Sequence, residues 1–337
     1  MRRAMFLLLM TTAFGCDVRQ EPAAPRGDDY AAWTSVTVGV ADLDIALDLW
    51  VDTFGFGTVA RTDGADAELG RLWGIDADDV SRQALIRTGE SRHGMIHLVE
   101  FRDPDPPVRD GADVFDLLPK NLDVYVADMP ARIVGLRERG HRFRTETYSE
   151  VTAPDGTRFR EIHMPSHDDV NVVLLEVLDE PKPLTGEGYG GVGPLIFIVP
   201  DADAEQAFFE SVFELDKLND NLLDGPEIER MVGLPPGAAL DVSIWGRDGY
   251  DLGGIEIIDY RGVEGQDRYP RARPKARGIL HISYVVDDAS ALRQRLSARS
   301  VAVTDHGTMS TLVATGRAWS FASPAGLVIY VYESDDG

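Results

Sequence analysis

The sequence predicts an α+β protein made of four β-α-β-β-β units that pair into two domains. Three observations predict it. Residues 35–102 lie on 194–261 without a gap at a constant offset of 159, which puts Val40 on Val199, Phe54 on Phe213, Glu68 on Glu227, Arg71 on Arg230 and Gly94 on Gly253. A second match runs from Leu122 onto Ile282 at an offset of 160, with Asp128 on Asp288 and Leu136 on Leu296. Finally, all four stretches open alike, with an apolar strand, an Asp suited to cap a helix, and a run of helical periodicity.

The first unit begins SVTVGVADLDIALDLW. Val36, Val38 and Val40 form the apolar side of its strand, and Ser35, Thr37 and Gly39 face the other way. The second begins NLDVYVADMPARIVGL, the third PLIFIVPDADAEQAFF with both strand faces apolar, and the fourth HISYVVDDASALRQRL. Three shorter strands are expected after each helix, the last being MIHLVEF, VVLLEV, GIEIIDY and VIYVYES in turn. Adjacent units are expected to pair. That gives an N-terminal domain over 33–179, a linker over 180–189 containing PKPLTGEG, and a C-terminal domain over 190–333.

The N-terminus reads differently. Arg2 and Arg3 precede an apolar run that is too short to span a bilayer and stops at Cys16, the only cysteine of the chain. This is similar to a bacterial lipoprotein signal. On that resemblance residues 1–16 are a signal peptide, Cys16 is lipidated, residues 17–32 are a tether, and the protein is exported and anchored on the periplasmic or cell-surface face of a membrane. An ordinary signal peptide with an incidental cysteine is the alternative. A lone cysteine excludes intramolecular disulfides and thiolate zinc clusters. With 33 Lys and Arg against 57 Asp and Glu the formal charge is −24, which opposes binding to nucleic acid.

From about Trp33 to Glu333 the four-unit pattern resembles the vicinal oxygen chelate superfamily, which includes glyoxalase I, extradiol dioxygenases, methylmalonyl-CoA epimerase and the bleomycin and fosfomycin resistance proteins. There, two units close around a cup that holds a divalent metal. The resemblance implies two glyoxalase-like domains and two cups, with ligand slots at Ser35, His97, Asn121 and Val173 in the N-terminal half and at Pro194, Glu256, His281 and Tyr330 in the C-terminal half. In the first set, Ser35, His97 and Asn121, with Asp123 and Tyr125 on the same face, are expected to bind a ligand by hydrogen bonds. In the second, Glu256 and His281 match the family's metal ligands, for Fe, Mn, Ni or Zn, with Tyr330 as a further ligand or catalytic proton donor. Glu161 and His163, on a strand of the second unit, could approach the N-terminal cup, although surface or core roles are expected for them; Trp73 and Trp245 are assigned apolar bulk, and Glu100, Glu176, Asp259 and Glu333 solvated strand ends.

Two functions follow from the resemblance. One is a metal-dependent lyase, isomerase or dioxygenase acting on a small substrate with vicinal oxygens. The other is a metal-free protein that sequesters a small molecule at the cell envelope, in the manner of the resistance proteins. The expected partners are that small molecule and the membrane through the lipid anchor alone; a homodimer is compatible with either function.

Overall fold

The computed structural model describes residues 30–334, so the signal segment and Cys16 lie outside the described residues. The four units are present. The first contains β1 (Ser35–Val40), α1 (Leu43–Leu47, continued as a π-helix over Asp48–Thr53), β2 (Gly57–Asp63), a short α2 (Ala67–Trp73), β3 (Val80–Arg87) and β4 (Met95–Phe101). The second contains β5 (Pro119–Val126), α3 (Met129–Glu138), β6 (Ser149–Thr152), β7 (Arg158–Pro165) and β8 (Asn171–Val177). The third contains β9 (Tyr189–Ile198), α4 (Ala202–Phe213), β10 (Asp216–Leu223), α5 (Pro226–Val232), β11 (Ala239–Gly246) and β12 (Ile255–Arg261). The fourth contains β13 (Gly278–Val286), α6 (Ser290–Ala298), β14 (Thr304–Ser310), β15 (Thr315–Ala322) and β16 (Val328–Ser334).

Local chemistry starts the helices where the sequence places them. Asp42 accepts from the Asp44 amide at 2.9 Å and Asp201 from the Ala204 amide at 3.0 Å, satisfying amides that have no partner inside the helix. A second carboxylate supports three of the four starts. Glu100 accepts from the Leu43 amide at 2.8 Å, Glu176 from the Asp128 amide at 2.7 Å and Glu333 from the Ala289 amide at 2.9 Å. These acids are therefore not solvated strand ends; each ties the last strand of its unit to the start of the helix. Asp259, the exception, pairs with Arg261 at 2.9 Å.

The units do not pair in the expected order. One eight-stranded sheet has the order β14-β15-β16-β13-β1-β4-β3-β2 and the other β10-β11-β12-β9-β5-β8-β7-β6. The first unit thus shares a sheet with the fourth, through antiparallel β1 and β13, and the second with the third, through antiparallel β5 and β9. The grouping into 33–179 and 190–333 does not describe the sheets. Internal repetition dictates what each unit is and is silent about its partner, because each opening strand presents a similar free edge.

The connections change role accordingly. Residues 178–188 join β8 to β9 inside one sheet, with Lys182 paired to Glu180 at 2.7 Å and to Asp251 at 2.8 Å. The crossings between sheets are 102–118 and 262–277, which run side by side through bridges at Pro107 with Arg277 and Leu117 with Asp267. Buried Asp116 fastens them, accepting from Arg268 Nε at 2.9 Å and from the Gln266 amide at 2.8 Å.

Residues of both sheets and of α1, α3, α4 and α6 form one apolar core, in which Val36, Val38 and Val40 meet Trp50, Leu122, Val124, Leu195 and Phe209. Its edge includes Tyr30, whose hydroxyl donates to the Asp288 carbonyl at 2.6 Å and whose ring meets Phe213. The last residues of the expected tether, Tyr30 to Ala32, are therefore buried parts of the folded body, held there by an aromatic contact that composition does not reveal. The repeat-related glycines Gly94 and Gly253 meet where the sheets adjoin, at φ 72° and 81°. A Cβ on Gly253 would stand 2.6 Å from the Trp33 carbonyl oxygen, so glycine is required there.

Two cups, one filled and one open

The pairing redistributes the site residues. Ser35, Thr37, His97, His281 and Tyr330 share the first cup, formed by the first and fourth units. Thr37 pairs with His97 on one side and with His281 on the other, and Tyr330 pairs with Ser283. Asn121, Asp123, Val173 and Glu256 belong to the second sheet, where Asp123 pairs with Val173. Two expectations are corrected by this. Glu256 and His281 lie on different sheets and cannot ligate one metal, and Ser35 and His97 do not share a cup with Asn121, Asp123 and Tyr125.

The first cup is packed. Leu69, Leu72 and Trp73 of α2 join Val99, Phe101, Leu280, Met309, Ala318, Tyr330 and Tyr332 in one buried cluster. The Trp73 ring lies 5.9 Å from Phe101 and 5.4 Å from His281, and His281 lies 4.6 Å from Tyr330. Tyr330, expected as a catalytic residue, is thus a buried wall of this cluster.

Both nitrogens of His97 are engaged. Nε2 stands 2.9 Å from Gln83 Oε1 and Nδ1 3.3 Å from Thr37 Oγ1, while Gln83 Nε2 donates to Asp66 at 2.8 Å. Since a carbonyl oxygen only accepts, Nε2 carries the proton and Nδ1 takes the threonine hydroxyl. Burial pushes His97 down to about 4, against the pull of Asp66, and pushes His281 down to about 3, with His97 adding to the shift. Both rings are neutral at physiological pH.

The second cup is open. At the constant offset of 159, Trp73 of α2 corresponds to Val232 of α5. Ile228, Met231 and Val232 pack on Leu240, Val242, Ile258 and Tyr260, covering the part of the sheet contributed by the third unit. The smaller valine leaves space where tryptophan fills the first cup. A cavity of about 430 Å³ results, with Asn121, Asp123, Glu161, His163, Glu256 and Tyr260 among its lining residues. Tyr125, Trp245 and Tyr250 supply aromatic lining.

Alternation along β7 brings Glu161 and His163 to the same face, 2.8 Å apart. Asn171 Nδ2 lies 3.0 Å from His163 Nδ1 and donates to Asn121 Oδ1 at 3.1 Å. Lys120 Nζ donates to the Tyr260 hydroxyl at 2.5 Å. Asp123 is buried, and its Oδ1 has no hydrogen-bond partner.

Electrostatics in this cup favour neutral forms. Burial, then Glu256 and Glu161, hold the Asp123 carboxyl well above its usual range, with Asn121 and Lys120 opposing. Glu256 is raised by burial and by Glu161, with Lys120 opposing. Lys120 is lowered by burial and by Arg109 and Arg144. The sequence allows Glu161 and His163 to approach a cup while favouring surface or core roles for them, and it carries no signal for Lys120 or Tyr260. The exchange of Trp73 for Val232 inside the repeat is the one sequence signal that distinguishes this cup, and it is read only with the structure in hand.

Among the described residues no group of three or more His, Cys, Asp and Glu side chains is arranged to hold a divalent metal. The two histidines in slots, His97 and His281, stand in a cup filled by Trp73, and His97 has both nitrogens occupied. The donor set does not fit the expected Fe, Mn, Ni or Zn.

Comparison with solved structures agrees with this architecture. Glyoxalase I from Zea mays is similar over 90% of this chain and 92% of that chain, with a TM-score of 0.59 and 13% sequence identity. A variant of the same maize enzyme gives a TM-score of 0.61 at 14% identity, over 90% of this chain and 92% of that one. A provisionally named dioxygenase from Bacillus subtilis is similar over 92% of this chain and 87% of its own, with a TM-score of 0.59 and 13% identity. No protein-family model and no curated protein matches the sequence. At such identities the likeness defines the fold, a two-sheet glyoxalase-like fold, and no activity.

Proposed function

We propose that the protein binds a small organic molecule in the second cup without a resident metal ion. The observation that carries this reading is a cavity of about 430 Å³ that combines hydrogen-bonding groups, among them Asn121, Asp123, Glu161 and Glu256, with aromatic walls. Concave, mostly apolar sites with a few convergent polar groups are where small ligands bind. A metal-dependent lyase, isomerase or dioxygenase is the second reading, favoured by the position of His97 and His281 on either side of Thr37.

A thermal-shift screen of metabolites and drugs in the presence of a chelator tests the proposal. Leu175 lines the cavity, and Leu175→Trp fills it without removing a polar group. Ligands are expected to raise the Tm of the native protein and to leave this variant unshifted. Ligand effects that need added Fe, Mn, Ni or Zn and are lost in His281→Ala would favour the second reading.

We further propose that this binding takes place at the cell envelope, on a chain tethered through Cys16. The support is the charged start, short apolar run and single cysteine of residues 1–16. Cys16→Ser is expected to move the protein from the membrane fraction to the soluble one; unchanged fractionation would remove the anchor.

A further inference from the structure

The lining of the second cup is unbalanced in charge. Asp123, Glu161, Glu180, Asp248, Asp251 and Glu256 line it against Lys120, Lys182 and Arg247. Lys182 is held by Glu180 and Asp251 at the rim, and Lys120 donates to Tyr260. Asp123, Glu161 and Glu256 thus outnumber Lys120, the cation whose charge acts on Asp123 and Glu256, and one of the three is incomplete: Asp123 is 5% exposed, lines the cavity and has no hydrogen-bond partner on Oδ1. A buried acceptor left unpaired is costly, and a ligand donor is what would complete it.

The walls carry the same message. Tyr125 and Trp245 line the cavity, and Tyr125 already attracts a cation within it, with Lys182 Nζ 5.7 Å from its ring centre. Aromatic faces and a cluster of carboxyl groups together form an environment for an organic amine, whose ammonium charge would offset the repulsion that, after burial, raises Asp123 and Glu256. The free oxygen of Asp123 narrows the class of cation, because it needs a hydrogen-bond donor and a quaternary ammonium has none.

We propose that the ligand of the second cup is a primary or secondary organic amine, bound as its ammonium, with the N–H donated to Asp123 Oδ1 beside Glu161 and Glu256 and with its apolar body against Tyr125 and Trp245. This rests on the reading of the second cup as the binding site and adds the chemical class of the ligand. Neither a vicinal oxygen pair nor a metal takes part.

Titration calorimetry of the full chain in chelator tests it, with phenethylamine and tryptamine as probes, each alongside its matching alcohol, carboxylate and trimethylammonium analogue. The primary amines are expected to bind at least about tenfold more tightly than the alcohols and the trimethylammonium compounds. Asp123→Asn should remove that preference, Glu256→Gln should reduce it, and Leu175→Trp should abolish binding of every probe. The second carboxyl variant covers the case in which Asp123→Asn does not fold. Alcohols or carboxylates that bind as well as the amines, and are still excluded by Leu175→Trp, would overturn the amine and leave the site standing. Amines that do not bind, or that bind equally well to Leu175→Trp, would overturn both. Stoichiometric uptake of a divalent ion through Glu256 in chelator-free buffer would also overturn the amine.

Discussion

Expressed as separate polypeptides, residues 30–183 and 184–334 are expected to fail to fold alone and to recover native structure only when combined. The cause is the exchange of units between sheets. In the intact chain β1 pairs with β13 and β5 with β9, so each half on its own would keep the pairing of its opening strands within their units and leave the other edge of both strands exposed. Those strands are buried along their whole length or nearly so, and carry Val36, Val38, Leu122, Val124, Leu195 and Ile282 into the common core. Exposed central strands aggregate instead of standing free. Circular dichroism and urea unfolding of each half and of the mixture would measure this. Cooperative unfolding of an isolated half would mean that adjacent units can pair after all, as the repeat alone suggests.

Replacing Glu205 with Gln is expected to stabilise the protein above neutral pH and to change little in acid. Glu205 lies in α4, buried, with Oε2 accepting from the Ala325 amide at 2.8 Å and Oε1 unpartnered. Burial pushes its carboxyl up to about 7, against Ser323 and the Ala325 amide. A folded-state value above the unfolded one means that the native state binds the proton more tightly. Stability is then full below the unfolded value near 4.5, falls as pH rises through about 7, and stays low beyond it. The loss amounts to roughly 3 kcal/mol at most, and glutamine, which keeps an acceptor and never ionises, does not incur it. Comparing urea midpoints of the two proteins at acid and mildly alkaline pH isolates this group. A gap that does not widen with pH, or a less stable Gln variant in alkali, would contradict the assignment.

How much was legible depended on the range of the interaction. Helix starts at Asp42 and Asp201, the inward face of Val36, Val38 and Val40, and the left-handed helix ends at Gly74 and Gly233 are local and were readable or implied by the ungapped repeat. Which unit pairs with which is decided between residues far apart in sequence, such as Asp116 with Arg268, where no local pattern exists. The same gap divided the candidate site. Asn121, Asp123, Tyr125 and Glu256 were each singled out, yet they were assigned to two cups because the sheet partner was unknown. His163 and Glu161 carried no spacing signal beyond alternation on one strand. Trp73 and Val232 stood aligned in the sequence, but their contrast gained meaning only once α2 and α5 were seen to cover equivalent faces.

The most direct test of the account is a crystal structure of the metal-depleted protein soaked with an amine that binds in solution. The expected result is ligand density in the second cup, with nitrogen at Asp123 Oδ1 and the apolar body between Tyr125 and Trp245, and with Trp73 unmoved over His281. Density in the first cup, with Trp73 displaced and the ligand or a metal ion on His97 and His281, would contradict it.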